Sequence, residues 1–266
     1  MTGDVVGAWM NALRERHVEP LGRPAFLKAV RALSVRYVER RHTLSGRSAI
    51  DSAGKRAAFA AFYAPVHFAT TRMLVEILEL HDARIDTIVD LGCGTGVAGA
   101  AWALALPNHA ALRGIDVNPW SVNETNWTWR TLGLKGHARR GDVVKTILSM
   151  RQVSRRSSCA GTAIVLGWTV NELRDDARRT LLPALLDLAR QDASVLVIEP
   201  IARRAAPWWD EWATTFGEAR GVAQNWEMAL DGSDGGPLSG DFADLHYDAG
   251  FRRESLSVRS LSIAGR

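Results

Sequence analysis

The residues best suited to chemistry lie in Val89-Asp-Leu-Gly-Cys-Gly-Thr-Gly-Val-Ala-Gly-Ala100. Gly92, Gly94 and Gly96 make G-x-G-x-G. Gly94, Gly96 and Gly99 make the overlapping G-x-G-x-x-G, a dinucleotide pattern. Both patterns describe a strand that ends, a loop whose backbone a ligand can approach, and a helix N-terminus beyond. Cys93 and Thr95 complete the loop. The acid ahead of the glycines separates the two readings. Asp90 would repel a pyrophosphate that approached it, and it would suit a ligand carrying an ammonium group. Asp116, twenty residues after Gly96, can accept both hydroxyls of a ribose in either case. A third acid follows in Gly141-Asp142-Val143.

These residues need a parallel α/β sheet to position them. Short apolar runs predict strands at Thr87–Leu91, Ala111–Asp116, Gly136–Arg140, Thr162–Gly167 and Ser194–Glu199. Between them the pattern predicts helices from Val97 to about Leu106, from Pro119 to before Gly133, and from about Glu172 to Gln191. A further helix is expected around Trp208–Phe216, then a glycine-rich loop at Asp231–Gly240 and a helical stretch at 241–249. Arg252–Ile263 alternates imperfectly, as a closing antiparallel hairpin does. No strand pattern precedes residue 86. Residues 1–84 read as a helical extension: one helix over Asp4–Arg16, a second from Pro24 toward Arg41, a short one over Lys55–Tyr63 and a longer one over Pro65–Leu80. Residues 85–266 form the α/β domain.

The set "VDLGCGTG", "GIDVNP" and "GDV" resembles the first three motifs of the class I S-adenosylmethionine-dependent methyltransferases, over about residues 85–200. The resemblance implies a Rossmann-like, seven-stranded, mostly parallel sheet whose last strand is antiparallel, with helices on both faces. It implies that Asp90, Gly92, Cys93, Gly94, Thr95 and Gly96 surround the amino-acid part of S-adenosylmethionine. It gives the ribose to Asp116 and the adenine amino group to Asp142, with Val117 and Val143 flanking the ring and Asn118 beside them. Asp142 also reads as a helix N-cap, and Asn118-Pro119 as capping chemistry. A narrower resemblance links "YAPVHFATTRMLVEIL", "VNELRDDARRTLLPALLDLA" and "VLVIEP" to methyltransferase-like proteins of the small ribosomal subunit. Members of that family carry a C-terminal cysteine cluster, and this chain has no cysteine after Cys159.

The methyl acceptor is expected beyond the carboxyl ends of strands four and five. Candidates there are Trp168, Thr169, Asn171 and Glu172 in "LGWTVNEL" and Glu199 in "VIEP". Trp168 suits stacking on an acceptor ring, on the adenine, or core packing. Asn171 and Glu172 suit catalysis, or the cap and first turn of the next helix. From the helical extension, Tyr63 and His67 in "FYAPVHFATTRML" share a face if the helix continues through Pro65. The chain has no Asn/Asp-Pro-Pro-Tyr after strand four, the motif associated with exocyclic base amines, and no Pro-Cys nucleophile.

With two cysteines and no C-x-x-C pair, neither a disulfide framework nor a metal site is expected. No apolar run approaches the ~20 residues of a membrane span. The N-terminus lacks the form of a signal peptide, so a cytoplasmic location is expected. Residues 1–72 carry twelve Lys/Arg against five Asp/Glu, and residues 133–160 seven against one. Such segments suit either solvated helix faces or an RNA partner. The acceptor is therefore a small molecule, favoured because a helical lid and Trp208, Trp209, Trp212 and Trp226 could enclose it, or an RNA. A non-catalytic cofactor-binding module and a nicotinamide-dependent oxidoreductase are the readings from other classes.

Overall fold

The computed structural model describes residues 2–39, 50–108, 110–154, 158–201, 206–229, 248 and 255–265. The helical extension contains α1 (Thr2–Leu13), continued by a π turn at Arg14–Val18, then α2 (Arg23–Glu39), α3 (Ala53–Ala58), a second π turn at Phe59–Tyr63, and α4 (Ala64–Ile77). The domain that follows contains β1 (Thr87–Leu91), α5 (Val97–Ala105), β2 (Ala111–Asp116), α6 (Pro119–Thr131), β3 (Gly136–Arg140), α7 (Val143–Ser154) and β4 (Thr162–Gly167). A 3-10 turn at Val170–Glu172 leads to α8 (Asp175–Ala189), β5 (Ser194–Pro200), α9 (Trp209–Glu218), β6 (Val222–Ala229) and β7 (Ser255–Ile263).

The sheet order is β3-β2-β1-β4-β5-β7-β6, with β7 antiparallel to both β5 and β6. The central strands β1, β4 and β5 are buried on both faces, so their sequences run apolar rather than alternating. Edge strand β3 reads Gly-His-Ala-Arg-Arg and buries only Ala138 among its five residues, as an edge protected by charge does. Strands β1 and β4 are parallel neighbours, and the order in which strands are added switches sides of the sheet between them. The crevice at their carboxyl ends is where such sheets place ligands.

Two apolar layers cover the sheet. Trp102, Trp129 and Leu112 lie in one, together with Trp9, Phe26 and Leu33 of the extension, so the first helices share a core with the sheet. Leu91, Ile147, Leu185 and Trp212 lie in the other, under α7, α8 and α9. Pro65 does not break the extension. The preceding π turn lets the Ala64 N–H reach the Phe59 carbonyl, and Pro65 then sits in the first turn of α4, where its missing N–H costs little.

Three elements depart from the sequence reading. The described part of the closing segment is the single strand β7, paired with β5 and β6, and not a hairpin of its own. Helix α8 starts at Asp175, not near Glu172, because Val170–Glu172 closes a 3-10 turn first. Strand β6 fills the far edge, where no strand was expected; only Val222, Trp226 and Met228 hint at a period of two, and Gln224 interrupts them. The loop around Leu44–Ser48, the loop at 231–240 and nearly all of the helix expected at 241–249 lie outside the described residues. Among the described residues no helix is long and apolar enough to cross a membrane.

Helix α6 ties the glycine loop to the core, since buried Trp129 donates its Nε1–H to the Gly96 carbonyl at 2.7 Å. Trp129→Phe removes that bond while the Ala100 N–H stays on the same carbonyl at 3.1 Å, and should cost about 0.5–1.5 kcal/mol, read as a lower urea midpoint. An unchanged midpoint would mean the bond contributes nothing to stability.

Candidate active site

Three glycines with left-handed backbones, Gly92, Gly94 and Gly96, shape the loop between β1 and α5, with φ of 73°, 55° and 78°. Each of their carbonyls is held by a side chain from a different neighbour. Thr169 Oγ1 donates to Gly92 at 3.2 Å, Thr125 Oγ1 to Gly94 at 3.0 Å, and Trp129 Nε1 to Gly96 at 2.7 Å. The N–H groups of Gly92 and Cys93 both reach the Ile115 carbonyl, at 2.8 and 3.0 Å. A Cβ at Gly92 would lie 2.4 Å from Thr169, and one at Gly96 would lie 2.6 Å from Thr125. Larger residues are excluded by packing as well as by φ. The loop ends where α5 begins, and the first N–H groups of a helix lack intrahelical partners.

The acids divide into a hidden one and two accessible ones. Asp90 is 1% exposed, and its Oδ2 accepts the Gly99 N–H at 2.9 Å. It therefore fastens the head of α5 to β1 and does not face open space. Burial, the dominant cause, raises its pKa to about 7, with Asp116 adding repulsion and the Gly99 bond opposing. A Cβ at Gly99 would meet this carboxylate at 2.9 Å, so Gly99 serves helix–sheet packing. Asp116 accepts the Gly94 N–H at Oδ2 (2.9 Å) and the Asn118 N–H at Oδ1 (2.8 Å). The Val117 N–H also reaches this carboxylate, so three backbone donors hold it and acceptor capacity for one further donor remains. Burial raises its pKa despite these bonds. Asn118 caps α6 through the Trp120 N–H at 2.9 Å. Asp142 is exposed and caps α7 through the Lys145 N–H at 2.8 Å. Val117 is 61% exposed, whereas the Val143 side chain packs into the core with Leu91 and Ile147. Cys93 also faces inward: its sulfur accepts from Thr125 Oγ1 at 3.3 Å, and burial lifts its thiol well above the usual range. Thr95 is buried.

The extension covers this loop from above. The Phe59 ring lies 3.4 Å from where a Gly94 Cβ would stand. Phe59 faces His67 with centroids 6.3 Å apart, and Tyr63 faces His67 at 6.2 Å. The His67 imidazole stacks on Trp168 with centroids 3.6 Å apart and planes 9° from parallel. The extension and the strand-four loop thus meet ring to ring. Trp168 holds φ at 57°, unusual for a bulky residue, and its N–H bonds the Ile198 carbonyl at 2.7 Å. Burial pushes the His67 pKa down to about 3, so the imidazole is neutral near pH 7.

Of the three candidate catalytic residues, Asn171 and Glu199 meet and Glu172 stands apart. Glu199 is fully buried and accepts the Asn171 N–H at 3.1 Å and Asn171 Nδ2 at 2.6 Å. The Asn171 Oδ1 accepts from Trp208 Nε1 at 3.0 Å. These side chains bind one another and hold the ends of β4 and β5 together. Asn171 is not the cap of α8; Arg174 occupies that position. Glu172 is exposed on the 3-10 turn. The tryptophans do not gather around the site either. Trp208 packs on Trp212 and Trp212 on Phe216 in the core of the opposite face, Arg259 lies 4.1 Å over Trp209, and Trp226 bonds Ser260 at 2.8 Å. The sequence reading missed Phe59 and Trp120, Thr125 and Trp129. Their one available signal is the i, i+4 spacing of Thr125 and Trp129 on one face of α6. Among the described residues no group of three His, Cys, Asp or Glu could hold a metal.

Residues 63–152 match a family model described as methyltransferase small domain. No curated protein matches the chain significantly. Among solved structures, the plantazolicin methyltransferase BpumL in complex with S-adenosylhomocysteine is 13% identical with a TM-score of 0.50, covering 90% of this chain and 96% of its own. The mitomycin 7-O-methyltransferase MmcR is 16% identical (TM-score 0.49, covering 91% and 66%). A S-adenosylmethionine-dependent methyltransferase of Agrobacterium tumefaciens is 17% identical (TM-score 0.46, covering 75% and 61%). BpumL shares the fold.

The role of Asp90 can be tested through linkage. Its folded carboxyl takes up a proton near pH 7 and an unfolded one near 4. The native state therefore holds the extra proton between those values, and this group lowers stability as pH rises through that window. Asp90→Asn keeps an acceptor for Gly99 and removes the titration. The variant should match the parent near pH 4 and exceed it by up to about 4 kcal/mol above pH 7, with S-adenosylhomocysteine affinity retained. Lower stability at pH 8, or lost affinity, would give the carboxylate a direct role.

Proposed function

We propose that this chain is a class I S-adenosylmethionine-dependent methyltransferase, a reading its matched segment and fold support, and that it methylates a flat, uncharged ring of a small molecule seated beside Trp168. The observation that carries this reading is the closure of the site by rings from the extension, His67 on Trp168 with Phe59 and Tyr63 alongside. Residues 1–84 act as the lid, the domain 85–266 provides the cofactor site, and the cytoplasm is the expected location.

The residues present fit the cofactor. The Gly92–Gly96 loop offers a backbone surface under Phe59, and a Cβ at Gly94 would stand in ordinary contact with that ring. Asp116 keeps acceptor capacity for a ribose hydroxyl, and exposed Val117 and Asp142 suit an adenine edge. Asn118 holds the turn that orients Asp116, and Val143 backs the site from the core. Asp90 and Cys93 act from beneath, on the loop. When bound, S-adenosylmethionine supplies an electrophilic methyl group on a sulfonium.

The chain's own contribution is placement and exclusion of water. Asn171 and Glu199 are bonded to each other, so in this reading they support the site's shape and do not act as a base. His67 is neutral, and its low pKa makes it a weak proton acceptor. An acceptor whose lone pair needs no deprotonation, such as a ring nitrogen, fits this set, because positioning alone lowers the barrier to an in-line displacement.

One observation favours an RNA acceptor. Exposed Arg113, Arg130, Lys135 and Arg139 on α6 and the β2–β3 edge make no ion pair among the described residues. Tritiated S-adenosylmethionine added with the protein to a cell extract separates the readings. Label should enter the small-molecule fraction, and Trp168→Leu should raise the KM of that acceptor about 3- to 10-fold. Label confined to RNA, weakening steeply with salt, would replace this proposal with the second reading.

A further inference from the structure

A second cavity lies beside the cofactor loop, of about 360 Å³ and lined by Arg16, His17, Leu21, Ala57, Arg56 and Trp120. That volume is at the lower end of small-molecule sites, which span ~300–1,000 Å³. Its floor is electrostatically settled. Glu124, 1% exposed, accepts from Arg16 Nε and Nη2 at 3.3 Å and lies 2.7 Å from His17 Nε2. One buried carboxylate is thus matched by Arg16. Arg56 is then the uncompensated charge of the cavity. Its Nε donates to the Ile50 carbonyl at 3.2 Å, and its terminal nitrogens have no acceptor among the described residues.

The cavity also offers planes. The Arg56 guanidinium stands 5.9 Å from the Trp120 ring centroid, too far for direct stacking. Arg16 lies 4.7 Å over Trp127 on the adjoining turns of α6. Trp120 faces Phe59 at 6.4 Å, and Phe59 touches the Gly94 position on its other side. A guanidinium fork suits a phosphate, and an indole plane suits a base. Apolar Pro20, Leu21, Ala53 and Ala57 complete the wall.

We propose that this cavity binds a nucleotide, with its phosphate on Arg56 and its base against Trp120, taken either free or as one unit of an RNA strand. Phe59 then touches two neighbouring ligands, this one and the methyl donor. The assignment goes beyond methyl transfer and has its own readout.

The test titrates the protein, saturated with S-adenosylhomocysteine, with GMP, with UMP and with a short mixed-sequence RNA. Arg56→Gln and Trp120→Leu are measured alongside, with thermal melts to confirm folding. Binding by the parent chain, weakened about tenfold in each folded variant while S-adenosylhomocysteine affinity holds, is the expected result. Mononucleotide binding identifies a free ligand. Binding of RNA alone, falling steeply with salt, identifies a strand. No binding of any probe at millimolar concentration, unchanged affinity in the folded variants, or loss of S-adenosylhomocysteine affinity in step with nucleotide affinity would overturn the assignment.

Discussion

The site depends on how the glycine loop's backbone is saturated. A loop made of left-handed glycines is costly to order, because glycine loses more conformational freedom than any other residue. Here Thr169, Thr125 and Trp129 take the three glycine carbonyls, and Ile115 and Asp116 take N–H groups. Those partners come from β2, α6 and the segment after β4, so the loop has its shape only when the sheet and α6 are already packed together. Asp90 adds a buried tie from β1 to the head of α5. The fold builds a concave backbone surface and leaves a carboxylate, Asp116, at its rim.

The helical extension completes what the sheet leaves open. Its passage over the loop requires a continuous helix through Pro65, which the π turn at Phe59–Tyr63 permits. The same turn sets Phe59 over Gly94 and lets His67 stack on Trp168. An aromatic stack between two segments a hundred residues apart in sequence joins the extension to the segment after β4. It also accounts for the neutral His67, since an imidazolium buried among rings would have no counter-charge.

How much of this was legible follows the range of the forces. Strands β1 to β4 keep the bounds read from the sequence, because buried parallel strands need apolar runs and glycine punctuates their ends. The antiparallel β7 was legible from its alternation, and β6, polar and at the edge, was not. The loop glycines and Asp116 fall where their spacing placed them. The roles of Asp90, Asn171 and Glu199 were not legible, because residue type gives a carboxylate's chemistry and only burial and partners give its task. Phe59, Trp120 and the Arg56 cavity arise from contacts between the extension and α6, far apart along the chain.

The central claim is that the loop and Asp116 hold S-adenosylmethionine and not a dinucleotide, despite the overlapping glycine pattern. Calorimetric titration of the intact chain with S-adenosylhomocysteine and, separately, with NADH tests it most directly. One equivalent of S-adenosylhomocysteine should bind, with no heat from NADH. Tight NADH binding with no S-adenosylhomocysteine signal would contradict it.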